Sequence, residues 1–196
     1  MWLQLLTSKV EAAAAIKKFK MRVEAESGKK LRVLRTDRGG EFTLVEFVAY
    51  CADQGVVRHH NVSYSPQQNG VVERRNQTVV GMARSMMKAK GMPARFWGEA
   101  VTTVVFILNR TPTKALKGKT PFKAWHRRKL NMSFLRTFGY IGHVKNTNPH
   151  LDKLEDRSTP MVLLGYKEGS KAYRLYDPKG GKVLISRDVV FNEMAA

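Results

Sequence analysis

Hydrophobic and polar positions follow two different periods in the first hundred residues. Apolar residues alternate with polar ones in LRVLRT (31–36), and VVRHH (56–60) is similar in character, so both stretches predict strands. Helical spacing fills 8–28 and 43–55, where a Ser or Thr precedes a Glu by three residues at the start and a glycine closes the end. The apolar MWLQLL (1–6) predicts a further strand. This order predicts an α/β sheet with crossover helices.

The longest predicted helix begins at SPQQ and extends from residue 66 to about residue 90. Ser65 can cap it, Pro66 suits the first helical position, and Gln68 has the spacing of a capping box. The apolar positions expected to face the sheet are Val72, Val79, Met82, Ala83 and Met86. The polar residues expected to share another side are Glu73, Gln77, Arg84 and Lys88.

The pattern changes after a further helix that is expected to end near Asn109. Lys114 to Leu130 contains seven Lys or Arg and no acidic residue, which fits either a surface that tracks DNA or a solvated helix and linker. Short strand patterns follow, with DPKGG as a hairpin turn. We therefore predict an α/β domain over 1–112, a basic linker or helix over 113–133, and a small antiparallel β unit of the barrel type over 134–196.

Charge narrows the class of partner. The chain has 35 Lys and Arg against 16 Asp and Glu, a net charge of +19, and so basic a protein repels itself unless a polyanion neutralises it. Nucleic acid is the leading partner, and a generic basic surface is the alternative. The single cysteine excludes an internal disulfide and fits a reducing compartment. Without a secretory signal or a membrane span of ~20 apolar residues, a nuclear or cytoplasmic location is expected.

Two carboxylates are candidates for metal-assisted chemistry. Asp37 follows a predicted strand and precedes a Gly-Gly turn, at the edge where open α/β sheets bind ligands. Glu73 is the only acidic residue in SPQQNGVVERRNQT (65–78). If the helix that carries Glu73 packs beside that strand end, the two could share Mg²⁺ or Mn²⁺, which prefer hard oxygen ligands. The spacing alone indicates little, because such a pair is common by chance.

The local sequence around the two carboxylates is more specific. LRTDRGGEF (34–42) and YSPQQNGVVERRNQT (64–78) resemble, in order and separation, the second and third acidic motifs of the integrase catalytic core of copia-type (Pseudoviridae) retrotransposons. The resemblance continues through FWGEAVTTVVFILNRTPTKAL, KTPFKAW, LRTFGY and VLLGYKEGSKAYRLYDPKGGKVLISRDVVFNE. It therefore covers essentially the whole chain.

This resemblance implies a ribonuclease H-like core in which three carboxylates and two divalent ions cut and join DNA. Asp37 matches the second carboxylate and Glu73 the third, as catalytic and metal-binding residues. The first lies, in the family, before the stretch that resembles MWLQLL, so we expect this chain to lack it, to bind Mg²⁺ or Mn²⁺ poorly and to be inactive alone. The expected function is a nucleic-acid-binding integrase fragment. A degenerate DNA-binding remnant without catalysis is the alternative, and a ribonuclease H-like nuclease is a weaker one.

Other positions on the Glu73 helix are expected to contact retrotransposon ends or target DNA. Asn69 and Gly70 match a family segment that lies over the active site, and Gln77 follows Glu73 by one turn. The full predicted DNA-binding set is Asn69, Gly70, Arg74, Arg75, Gln77, Arg84 and Lys88. The plain alternative for these residues is a polar helix start and a solvated helix face. Because integrases of this family act as multimers, the resemblance also implies a homo-oligomer.

Overall fold

The structure, a computed structural model, describes residues 1–36, 39–60, 66–128, 131–147 and 152–191. The side chains of residues 60, 66–69 and 71 lie outside this description. Contacts divide the chain into an amino-terminal unit, Gln4–Asn76, and a carboxyl-terminal unit, Met1–Leu3 with Gln77–Ala196. These units are defined by packing, so the family domain limits at residues 112 and 133 stay predictions.

The amino-terminal unit is built from a parallel strand pair and its helices. Its elements are α1 (Ala12–Ser27), β1 (Val33–Thr36), α2 (Gly40–Thr43), α3 (Val45–Asp53), β2 (Val57–His60) and the start of α4 (Pro66–Ala89). The parallel register of β1 and β2 runs from Val33–Val57 to Thr36–His60, with α2 and α3 in the crossover. The predicted succession of helix, strand, helix, strand and helix is confirmed from α1 to α4.

The core of this unit forms where α3 packs against α1 and β1. Phe47, Cys51 and Val56 are buried there, and Ile16 and Leu34 pack against them. Cys51 is therefore a core residue, and its thiol is free and buried. The C-terminus of α1 is closed as predicted, because Gly28 adopts a φ of 65° and donates its N–H to Glu24 O at 2.9 Å.

Two local expectations for the amino-terminal region were wrong. MWLQLL forms no strand and does not pair with either edge of the β1-β2 sheet. Trp2 instead packs edge-on against Trp125, with ring centroids 4.9 Å apart. Thr43 does not cap α3, because its hydroxyl donates to Gly40 O at 2.9 Å and Leu44 occupies the N-cap without a side-chain hydrogen bond.

Helix α4 has the predicted extent, and its second half belongs to the carboxyl-terminal unit. Val79, Ala83 and Met87 are buried against α5 (Trp97–Leu108). Met82, expected in this stripe, is 36% exposed, because at 3.6 residues per turn it lies about 100° from the centre of the buried line. Val72 is 55% exposed, since it precedes the segment that packs against α5.

A five-stranded antiparallel sheet occupies the end of the carboxyl-terminal unit, after α6 (Pro121–His126). Its strands are β3 (Ile141–Lys145), β4 (Ser158–Tyr166), β5 (Tyr173–Asp177), β6 (Lys182–Ser186) and β7 (Val189–Phe191). They pair in the open order β6-β5-β4-β3-β7. Asp177 pairs with Lys182 across the predicted DPKGG turn. The fold class is thus α/β followed by an antiparallel β unit, as predicted.

Helix α5 lies directly on β4. The buried hydroxyl of Thr103 donates to Leu164 O at 2.8 Å. Gly165 makes this approach possible, since a Cβ there would lie 2.4 Å from Thr103 Oγ1, and its φ of 148° disfavours any side chain. At the start of α5, Glu99 accepts two hydrogen bonds from the Arg174 guanidinium, at 2.5 and 3.1 Å, and this bonding raises the pKa of Arg174. The helix and the sheet are therefore fixed to each other at two points.

None of the helices in the described ranges is both long enough and apolar enough to cross a membrane.

Candidate nucleic-acid interface

The first predicted carboxylate, Asp37, lies outside the described residues, so its pairing with Glu73 stays a prediction. Strand β1 ends at Thr36, directly before it, as expected for a residue at the end of a parallel strand. On the other side of Asp37, the Glu41 carboxylate lies so close to Gly39 that a Cβ there would be 2.8 Å from it. A side chain at position 39 would displace the flexible end of the Glu41 side chain, so this contact alone does not require a glycine.

Glu73 lies on the solvent-exposed surface of α4. Of its predicted neighbours, Gly70 is half-buried, and the Arg74 guanidinium approaches to 4.0 Å from where a Cβ of residue 70 would lie. A side chain at position 70 would therefore contact Arg74. Asn69 is part of α4, but its side chain lies outside the described residues.

The helix brings most of the predicted DNA-binding positions to one side. With 3.6 residues per turn, Gly70, Glu73, Gln77, Arg84 and Lys88 fall within about 60° of one another around the axis. The last four are exposed. Arg74 and Arg75 lie about 100° and 200° from Glu73 by the same geometry, so Arg75 is on the opposite side. Four of the seven predicted DNA-binding residues, Gly70, Gln77, Arg84 and Lys88, therefore share the side of α4 that carries Glu73, whereas Arg74 and Arg75 do not.

The carboxyl end of α4 is closed by a Schellman motif. Met92 N donates to Met87 O at 2.9 Å and Gly91 N to Lys88 O at 3.2 Å, while Gly91 adopts a φ of 56°. Met87 and Met92 both pack into the same core. This tight turn leads through Pro93 into α5 and fixes the position of the two helix ends.

A surface groove lies at this turn, wholly within the carboxyl-terminal unit. Its volume is about 750 Å³, and the lining residues are Arg84, Met87, Lys88, Gly91, Met92, Ala94 and Trp97. Trp97 is 38% exposed, whereas the preceding Phe96 is buried. Sequence reasoning missed Trp97. A signal for it was present, because Pro93 precedes a helix start at which two aromatic residues follow each other, and only one of them can face the core.

The groove is electropositive. Neither Arg84 nor Lys88 forms an ion pair within the described ranges, and no carboxylate lines the groove. The nearby Glu99 of α5 is held by Arg174. Lys88 lies in the last turn of α4, where the negative end of the helix dipole favours a cation, so the attraction for an anion comes from the two side-chain charges and not from the dipole. The site can therefore attract an anion.

The basic segment after α5 has its aromatic residues engaged in packing. The Arg110 guanidinium stacks on Phe106 at 3.3 Å and lies 4.8 Å from the centre of the Phe122 ring, and burial lowers the pKa of Arg110 to about 10. Trp125 contacts Trp2, as described above. These contacts favour a structural role for Phe122 and Trp125, and they leave the exposed lysines of the segment as its DNA-binding candidates.

The described residues contain no group of three or more His, Cys, Asp or Glu side chains that could hold a metal ion. Since Asp37 is outside those residues, this finding does not concern the predicted pair.

Comparison with known proteins gives matches to both parts of the chain. Residues 140–196 match the retroviral polymerase SH3-like domain. The chain is 39% identical, over 193 residues and 98% of its length, to the retrovirus-related Pol polyprotein from transposon TNT 1-94 of Nicotiana tabacum. It is 28% identical, over 194 residues and also 98% of its length, to the retrovirus-related Pol polyprotein from transposon RE2 of Arabidopsis thaliana. The chain spans only 14% and 13% of these two polyproteins.

Among solved structures, the catalytic core domain of BIV integrase superposes with a TM-score of 0.45 at 19% identity, covering 64% of this chain and 76% of that chain. The similarity to the two Pol polyproteins runs through both compact units of the chain. The homologues of this chain are retrovirus-related Pol polyproteins of plant transposons, which confirms the resemblance that its motifs predict.

Proposed function

We propose that this chain is the nucleic-acid-binding part of a copia-type retrotransposon integrase, a ribonuclease H-like core followed by an SH3-like domain. The observation that carries the proposal is the alignment of 98% of the chain with a transposon Pol polyprotein at 39% identity. The exposed line of Glu73, Gln77, Arg84 and Lys88 on α4 supports it, because it combines a carboxylate with cations on an accessible helix face. The net charge of +19 supports a polyanionic partner.

The chemistry of the proposed parent enzyme is metal-dependent DNA strand transfer. Asp37 and Glu73 are the residues that would hold Mg²⁺ or Mn²⁺, and a pair of such ions would stabilise the attacking and leaving oxygens of a phosphoryl displacement. Glu73 is suited to this role because its carboxylate is on the surface, next to cations that can hold DNA phosphates. Only two carboxylates of the family's three have matches in this sequence, so we expect the chain alone to be inactive.

The proposed partners are retrotransposon ends and target DNA, with self-association of the chain as in other integrases. Such a function places the protein in the nucleus or cytoplasm.

The decisive experiment measures DNA binding and strand transfer separately on the 196-residue chain. Duplex oligonucleotide should bind with an affinity that falls steeply with salt, since phosphate contacts release counterions. Strand-transfer product should be absent with either Mg²⁺ or Mn²⁺. A chain that fails to bind DNA at low salt would overturn the proposed function, and robust strand transfer would overturn the expected inactivity.

Metal binding tests the role of Glu73. Mn²⁺ should bind weakly to the chain, as followed by electron paramagnetic resonance, and Glu73→Gln should reduce this binding further. Glu46→Gln, another exposed helix carboxylate of the amino-terminal unit, is the matched control and should bind Mn²⁺ like the unaltered chain. Equal loss of binding in the two variants would contradict the assignment of Glu73.

A further inference from the structure

The groove at the turn between α4 and α5 presents an aromatic surface beside two cations. Trp97 has no aromatic ring partner among the described residues and is 38% exposed. By contrast, the other exposed tryptophan, Trp2, packs against Trp125. The side chains of Met87 and Met92 form an apolar floor, and Arg84 and Lys88 lie along the α4 wall. A ligand for this groove should therefore combine an apolar face with negative charge.

The groove is also held rigidly. Its base is the Schellman turn at Gly91, and Met87, Phe96 and Ala100 behind it are buried in one core. Glu99, two residues after Trp97, is tied to Arg174 of β5, which fixes the first turn of α5. Little side-chain or backbone ordering is then needed when a ligand binds, which favours affinity.

We propose that this groove binds an unpaired nucleotide of a nucleic-acid strand, with the base against Trp97 and adjacent phosphates at Arg84 and Lys88. The inference rests on the proposed function and deepens it, because it adds a single-strand site to a duplex-binding helix face. Aromatic side chains bind the faces of unpaired bases without regard to sequence, whereas in a duplex those faces are covered by neighbouring bases. The groove should therefore distinguish single-stranded from double-stranded nucleic acid, and not one base sequence from another.

The charge of the groove favours this occupant over an apolar segment of another protein. An apolar segment would bury Arg84 and Lys88 without an ion pair, since the lining contains no carboxylate. A strand of nucleic acid offers phosphates to both cations. Their spacing of four residues puts them one helical turn apart, ~6 Å along the axis, which is close to the separation of successive phosphates in an extended strand.

The test compares single-stranded and duplex DNA of equal length by fluorescence anisotropy with the full chain. Trp97→Ala should weaken binding of labelled oligo-dT by about tenfold, because loss of one stacked base contact has an effect of this order. Its effect on duplex affinity should be less than twofold. Trp97→Phe should restore most of the single-strand affinity, and Lys88→Gln should weaken it in a salt-dependent way.

Trp2→Ala is the matched control, because it removes an exposed tryptophan outside the groove. It should leave the preference for single strands unchanged. Circular dichroism and thermal melting establish that each variant is folded. If Trp97→Ala does not fold, the separate variants Trp97→Phe and Lys88→Gln still test the site.

The outcomes separate this inference from the proposed function. Absence of all DNA binding by the unaltered chain would remove the proposed function and this site together. Salt-dependent duplex binding with single-strand affinity insensitive to Trp97 would overturn this inference alone. A change of sedimentation state in Trp97→Ala without a change in single-strand affinity would also overturn it, because the groove would then be an interface between copies of the chain.

Discussion

At the scale of single residues, the amino-terminal unit depends on a carboxylate in an unusual setting. Glu24 accepts hydrogen bonds from Leu31 N at 2.8 Å, from the buried Lys20 ammonium at 3.1 Å and from Lys30 at 3.4 Å. The backbone hydrogen bond from Leu31, with the two lysines, lowers the pKa of Glu24. Lys20 needs this partner because it is 4% exposed and otherwise bonds only Gln54 among the described residues.

Glu24→Gln should therefore lower the thermal midpoint of the chain at neutral pH. Because the folded-state pKa of Glu24 lies below its unfolded value, its charged form contributes stability above the unfolded pKa, and this stability is lost as pH falls through the folded pKa. The difference between the variant and the unaltered chain should shrink over that interval. The measurement is thermal melting from about pH 2.5 to about pH 7, an interval that extends roughly two pH units to each side of the ordinary pKa of a glutamate.

Glu26→Gln serves as the control for this prediction, because Glu26 pairs on the surface with Arg22 in the same helix at 2.8 Å. This substitution should lower the free energy of unfolding by no more than about 0.5 kcal/mol, as is usual for exposed ion pairs. An effect of Glu24→Gln that is the same at every pH would contradict the charge-based account.

Gly165 is the residue that allows α5 to touch the sheet. Gly165→Ala should cost about 2 to 4 kcal/mol of unfolding free energy, because the new Cβ would meet Thr103 Oγ1 and the backbone conformation is strained for any side chain. Chemical denaturation of the variant measures this cost. Thr103→Ala in the same chain removes the obstructing hydroxyl, so the two substitutions together should cost less than the sum of their separate effects. Strict additivity would show that the contact with Thr103 is irrelevant.

At the scale of elements, local signals sufficed where they agreed with one another. Helix α4 was predicted to within a residue, because its capping residues and its helical periodicity mark the same segment. The strand β1 was predicted from the alternation in LRVLRT and β2 from the strand-like character of VVRHH, and their parallel pairing followed from the intervening helix. The hairpin at DPKGG was equally local, since turn chemistry sets its register.

Sequence reasoning failed where a partner element decides the outcome. The apolar character of MWLQLL predicts a strand, but a strand exists only beside another strand, and Trp2 packs on Trp125 instead. Met82 is apolar at helical spacing, yet its exposure depends on where α5 lies. The candidate site shows the same limit: the α4 residues share a face by periodicity, whereas the groove at Trp97 arises only from the packing of α4 on α5.

The turn that ends α4 gives an element-scale prediction. Gly91→Ala should destabilise the chain by about 1 kcal/mol, because the Schellman turn needs a positive φ, and no atom within 4 Å would obstruct the new Cβ. Gly81→Ala, in the middle of the same helix and equally unobstructed, should instead stabilise it by about 0.5 to 1 kcal/mol. Denaturant melts of the two variants measure both signs. Stabilisation by both substitutions would contradict the turn geometry described for Gly91.

At the scale of the whole molecule, the surplus of positive charge raises the question of whether it acts as a diffuse field or at defined places. A net charge of +19 attracts DNA in either case. The helix face with Arg84 and Lys88 is a defined place, since both cations are exposed and lack ion pairs within the described residues. Lys179 and Lys182, at the hairpin between β5 and β6, are exposed cations far from that face in sequence.

The salt dependence of duplex binding distinguishes a field from defined contacts. Each phosphate neutralised adds about −0.9 to the slope of log affinity against log salt, so Arg84→Gln with Lys88→Gln should make the slope shallower by about 1.8. Lys179→Gln with Lys182→Gln removes the same charge and should leave the slope unchanged, with at most a small loss of affinity. Equal changes in slope for the two pairs would mean that the charge acts as a diffuse field. A change confined to the α4 pair would mean that the helix bearing Glu73 is in contact with the DNA backbone, which is the arrangement that a metal-binding carboxylate on that helix requires.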